Sequence, residues 1–348
     1  MKRFIIYGYV LILSGSLYSQ GHSNAVFPAL TLHSSARLAS LGSNFATFHE
    51  ADINTAISNA SLISPVLNNS AMLHYADYFS AYANVQTAYI RDLSKVGTFL
   101  ASIQYLNYGL VEAYDEYGNY LGPSNLLYNF IANVGWGRSL VDSVFSIGAN
   151  FKYIFCRGTN FWSNGIAVDV SGSYMNIEKN LAVSFAARNI GTALKRDFIS
   201  DYDNLPFQID LAIYQRMQHA PFAYSLVFSN LQKWNLSGID LNEKTIDPVT
   251  GEITTPNKLS AIADNAMRHF IPAVEIFPFK NFSFRLSYNY HRRQELKTVT
   301  RPGFVGFSWG LGVKIYKLQI DYARSTYHLA GAPNFITISA NLSDFTKN

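Results

Sequence analysis

Residues 126 to 136 carry apolar side chains at every second position: Leu126, Tyr128, Phe130, Ala132, Val134 and Trp136. Between them stand Asn129, Asn133 and Gly135. Side chains alternate faces along a strand, so the segment has one apolar face and one small or polar face. The same period recurs at Phe145, Ile147, Ala149, Phe151, Tyr153 and Phe155. It recurs again at Phe99–Tyr105, Leu181–Ala187, Phe282–Tyr290 and Val305–Ile315. About fourteen such segments fall between residues 71 and 345, each about 9 to 13 residues long. That is the length of a tilted strand crossing a bilayer, and longer than the roughly 5 or 6 residues of an ordinary soluble strand.

The face opposite the apolar one carries Lys152, Arg188, Arg285 and Lys314. Such charges are costly in hydrocarbon and acceptable in a polar lumen. The connections alternate in length. Short ones lie at 91–95, 139–142, 177–180, 217–221, 278–281 and 316–317. Long ones lie at 109–125, 157–164, 190–205, 232–266, 294–302 and 329–333. Only the first, near Tyr82, is short where the alternation asks for a long one. Long outer loops and short periplasmic turns mark a bacterial outer-membrane barrel. The predicted fold is therefore all-β: a transmembrane antiparallel barrel of about fourteen strands, in the outer membrane, in contact with lipid and lipopolysaccharide.

Composition narrows the function. Charged residues are 14% of the 348-residue chain and aromatics 15%, which argues against disorder. A formal net charge of +4 gives no basic excess for nucleic acid. Lys2 and Arg3, the apolar run Phe4–Leu13 and small residues to Ser19 read as an export signal over residues 1–19. Residues 20–70 lack the barrel period. Ala36–Leu41 has helical spacing, with Ser34 or Ser35 as N-cap and Gly42 as stop. This segment is expected to plug a barrel formed by residues 71–348.

No catalytic constellation emerges, and no metal or cofactor is expected; the chain is read as a non-enzyme. The eight histidines are scattered, none spaced as a metalloprotease pair. The single cysteine, Cys156, falls within an alternating strand and reads as a packed apolar residue. His291-Arg292-Arg293 is a basic strand end facing either lipopolysaccharide phosphates, a partner or solvent. Asp115 and Glu116 mark a loop tip. The longest loop holds Trp234, Asp240, Asp247 and Glu252, and its length and acidity point to a partner surface or a lid. These six residues are the candidate partner contacts.

Leu32-His33-Ser34-Ser35-Ala36-Arg37-Leu38-Ala39-Ser40-Leu41-Gly42 resembles the N-terminal box of the PorV/PorQ group. These are FadL-like outer-membrane barrels of the type IX secretion system of Bacteroidota. Arg188-Asn189-Ile190-Gly191, Leu205-Pro206-Phe207, Tyr288-Asn289-Tyr290 and Asp321-Tyr322-Ala323-Arg324-Ser325 look like the same group, and Tyr114–Asn119 like its PorQ branch. Here Asn59-Ala60-Ser61 stands where the family has Asn-Pro-Ala, and His33 where proline is common. The resemblance implies a fourteen-stranded barrel without chemistry of its own. It implies a role in the attachment complex, anchoring a PorZ-like surface protein, with PorU and PorV as further partners. The alternative on the same architecture is a FadL-like transporter of a hydrophobic small molecule.

Overall fold

The computed structural model describes residues 27–78, 82–109, 111–114, 117–124, 127–140, 144–158, 162–195, 205–237, 245–246, 253–254, 258–297, 303–327 and 331–346. Fourteen antiparallel strands close into one barrel. In chain order they are β1 (Ser70–Asp77), β2 (Ala83–Asp92), β3 (Thr98–Asn107), β4 (Tyr128–Leu140), β5 (Phe145–Arg157), β6 (Trp162–Asn176) and β7 (Leu181–Lys195). The second half is β8 (Gln208–Arg216), β9 (Phe222–Phe228), β10 (Phe270–Phe279), β11 (Phe282–Tyr288), β12 (Phe307–Ile315), β13 (Leu318–Ser325) and β14 (Asn334–Asn341). Each strand pairs with its sequence neighbours, and β14 returns to β1 with Asn341 opposite Ser70. Closure leaves no unpaired edge, as a sheet in hydrocarbon requires.

The two-residue period sets the faces as the sequence implies. In β5, Phe145, Ile147, Phe151 and Tyr153 are exposed on the outside, while Ser146, Asn150 and Ile154 are buried inside. Outside aromatics gather at the end of the long loops: Tyr105 beside Tyr128, Phe155 beside Trp162, Phe228 beside Phe270, and Tyr288 beside Phe307. Such a girdle marks the headgroup level of an outer-membrane barrel. The short turns and Ser70 and Asn341 share the opposite, periplasmic end. The strand of Phe282–Tyr290 is shorter than its apolar pattern. It stops at Tyr288, because Asn289 accepts the backbone N–H of Arg292 and caps helix Tyr290–Leu296.

Residues 27–69 fill the bore. Phe27 lies at the outer end, packed with Leu106, Ile131, Ile154 and Leu205. Helix α1 (Ala36–Ser40) follows, with the Ser35 hydroxyl accepting the amide of Leu38 and Gly42 at φ +71° beyond its end. Helix α2 (Ile53–Ala56), capped by Asp52, comes next, then a turn at Ala60–Leu62. The segment leaves at the periplasmic end, where the amide of Asn69 bonds the carbonyl of Ile90. The plug expected from the helical spacing is thus a short helical segment inside the barrel.

Candidate functional site: the plugged bore

One wall of the bore holds the plug by charge. Arg37 of α1 reaches Glu275 of β10 at 2.9 Å and Asp52 at 2.6 Å. Arg285 of β11 donates to the same Glu275 at 2.5 Å and to Asp321 of β13 at 2.6 Å. Two guanidiniums and three carboxylates form one chain, buried except at Asp52, and the Phe48 ring lies 3.7 Å from the Arg37 carbon centre. Arginine suits this because its planar fork satisfies two carboxylates at once. Neutral contacts complete the wall. The amide of Ala36 donates to Thr337 at 2.8 Å, Ser287 to the carbonyl of Ser40 at 2.9 Å, and Ser325 to that of Ala39 at 3.1 Å.

The facing wall holds the plug by shape. The turn Ala60–Leu62 lies on β4, β5 and β6. A methyl group added at Gly148 would sit 2.2 Å from the carbonyl of Ala60, and one at Gly137 would sit 2.3 Å from the carbonyl oxygen of Ile63. Backbone therefore touches backbone, which only glycine permits. Asn150 donates to the carbonyl of Ile57 at 2.9 Å, and Ser171 accepts the amide of Ser61 at 2.8 Å.

The strand cations of the sequence reading meet different fates. Arg188 bonds Asp210 at 2.8 Å and the plug's Asn44 at 2.9 Å. Lys152 pairs with Asp169 at 2.6 Å and Asn189 at 3.0 Å. Lys314, read as mid-strand, is exposed near the periplasmic end of β12. The carboxylates that answer these cations had no sequence signal, since register decides which strand residues face one another.

Space remains in and beside the bore. A periplasmic vestibule of about 450 Å³ is bounded by Arg37, Asp52, Arg216, Arg285, Lys314 and Asp321. An internal cavity of about 50 Å³ lies between the plug and β2–β7, near Leu30, Ile57, Gln86, Asn133, Lys152 and Arg188. The buried oxygens of Gln86 and Asn133 lack a protein partner there, so the space suits a few waters.

At the outer end, Arg292 of helix Tyr290–Leu296 turns inward. It donates to Ser308 at 3.2 Å and to the plug carbonyl of Gly42 at 3.4 Å, and lies over the Tyr327 ring at 4.3 Å. Arg293 donates to the carbonyls of Gly303 and Val305. Arg292 and Arg293 thus make intramolecular contacts that hold plug and loop together. Of the candidate partner contacts, Asp115, Glu116, Asp240, Asp247 and Glu252 lie outside the described residues. Trp234 is 59% exposed, stacked 5.2 Å from the His269 ring. Cys156 packs half-buried with the apolar cluster around Phe27. No three His, Cys, Asp or Glu among the described residues are placed to hold a metal.

No family model and no curated relative matches the sequence. Among solved structures, the Ralstonia pickettii toluene transporter TbuX is similar at 10% identity and a TM-score of 0.51, over 91% of this chain and 100% of that one. The Pseudomonas putida toluene transporter TodX is similar at 11% identity and a TM-score of 0.51, over 89% and 97%. The likeness is one of fold. At such identity it carries architecture alone, here a plugged barrel of fourteen strands. With its lipid-facing exterior and aromatic girdle, this architecture makes the chain an outer-membrane protein.

Proposed function

We propose that this barrel works at its outer rim, as a membrane anchor for a surface protein, and that its bore stays shut. The observation that carries this reading is the double fixation of the plug, ionic on one wall and backbone-to-backbone on the other. The gap between the plug and β2–β7 is about 50 Å³. An engineered cavity that takes benzene measures about 150 Å³. The sequence resemblance names the setting: the type IX attachment complex, with a PorZ-like partner and with PorU and PorV nearby. Arg37, Arg188 and Asp321, which belong to the resembling motifs, are also residues that hold the plug or its ionic chain. Trp234 and the acidic residues of the outer loops are the proposed contacts. The test is purification of tagged barrel from detergent-solubilised outer membranes with identification of bound proteins. A large surface protein is expected. Barrel alone, with normal cargo retention in a deletion strain, overturns the reading.

A second reading, a FadL-like transporter of a hydrophobic small molecule, has the fold comparisons on its side. TbuX and TodX are toluene transporters, and no comparison speaks for secretion. This reading requires the plug to move, because the gap of about 50 Å³ beside it is too small for such a molecule. Slower uptake of an aromatic hydrocarbon by the deletion strain supports it. Unchanged uptake removes it.

A further inference from the structure

The longest outer connection contains a helix, α3 (Lys258–His269), that runs directly into β10 at Phe270. One side of it is fixed to its own loop. Ala261, Asn265 and His269 are buried, and Asn265 accepts the amides of Leu236 and Ser237 at 3.1 and 3.0 Å. His269 lies 2.7 Å from the carbonyl oxygen of Ser229 and 3.1 Å from that of Trp234. Asp264 receives the Tyr290 hydroxyl at 2.7 Å and the Arg268 guanidinium at 2.7 Å. The opposite side is apolar and exposed: Leu259, Ile262 (48%), Ala263, Ala266 and Met267 (45%). These stand at i, i+3, i+4, i+7 and i+8, one unbroken helical stripe.

The next position of that stripe is residue 270. Phe270 opens β10, where Ile271, Ala273 and Glu275 are buried toward the lumen and Val274 and Ile276 are exposed on the bilayer side. By the two-residue period Phe270 faces the bilayer too, and its ring pairs with Phe228 of the neighbouring strand at 5.4 Å. The apolar stripe of α3 thus runs, in the chain, straight into a residue of the lipid-facing surface of the barrel. Lys258, exposed, stands one residue before the stripe.

We propose that α3 rests on the outer leaflet of the membrane with Ile262, Ala266 and Met267 among the acyl chains, as an interfacial extension of the barrel wall. A protein docked on the stripe is the competing occupant, and continuity with the bilayer-facing belt favours lipid over it.

The test places a nitroxide at Ile262→Cys or Ala266→Cys in a Cys156→Ser background. The full chain is reconstituted in vesicles of phosphatidylcholine and phosphatidylglycerol. Val274→Cys supplies the lipid reference and Lys297→Cys the aqueous one. Heat-modified gel migration confirms that each labelled barrel is folded. Labels at 262 and 266 are expected to collide with oxygen more than with a water-soluble nickel chelate, as at 274 but at shallower depth. Free access of the chelate, as at 297, overturns the proposal and assigns the stripe to a protein partner. The outcome is independent of whether the bore opens.

Discussion

The two walls of the bore hold the same plug by opposite means. On β10–β13 the contact is a chain of five charged groups, buried except at Asp52, that includes Arg37. On β4–β6 it is backbone against glycine, with amides and hydroxyls filling the gaps. A charged contact is costly to break when one member is lost, since a partner left buried is short of counter-charge. A steric seat fails only as far as the backbone is pushed away. The ionic wall is the one on which a gate would act, and the glycine wall is the one that a gate would pivot against.

The largest effect is expected at Arg37→Ala. It removes the bonds to Asp52, which keeps Asn54, and to Glu275, which keeps Arg285, at about 1.5–3 kcal/mol for each charged bond lost. Steady conductance in planar bilayers is the expected readout, against an expected silence of the parent barrel. A silent Arg37→Ala barrel would mean that the glycine wall alone seals the bore. Next is Gly148→Val, whose side chain meets the Ala60 carbonyl, at about 1–3 kcal/mol. Protease cleavage near residue 60 should rise, with smaller and flickering conductance. Arg292→Ala removes the outer latch on Gly42 and Ser308, about 1.5 kcal/mol, and should change loop proteolysis more than conductance.

The smallest effect concerns acid. Burial, with Arg268, His269 and Arg292 around it, pushes the His291 imidazole down to about 4. The unfolded imidazole titrates near 6.5, so its contribution is intact above that pH and is lost as pH falls toward 4. Cleavage of the outer loops by an acid-tolerant protease should therefore rise between pH 7 and 5. His291→Leu should flatten that rise while leaving the bore silent.

Much of this molecule is legible in the chain. The two-residue period gives the strands and their faces, and the alternation of turn lengths gives the closure. Ser35, Ala36–Ser40 and Gly42 give the one plug helix that spacing alone identifies. Arg188, Arg285 and Lys152 are legible as lumen cations, but Asp210, Glu275 and Asp169 as their partners are not. Glu275 stands directly opposite Arg285, whereas Asp210 and Asp169 sit two residues along from the direct partners of Arg188 and Lys152, an offset set by register. The glycine seat is illegible for a different reason, because a small residue facing inward looks the same whether water or backbone lies beyond it. Helix α3 is within reach of the sequence: Leu259, Ile262, Ala263 and Ala266 carry a helical period at the end of the stretch 232–266, read only as a long acidic loop, and Met267 continues it.

The amide of Ala36 bonds Thr337, 301 residues further on, and His74 of the first strand lies 2.9 Å from the same hydroxyl. The stopper therefore docks on the joint between the first strand and the last. A chain inserting strand by strand cannot complete that dock before its final hairpin arrives, so zipping the cylinder and corking it are a single late step. Contacts so distant in sequence form slowly. A nascent cylinder that stalls one hairpin short would be an open hole in the envelope, and truncations within β13 or β14 should harm a cell more than complete loss of the protein.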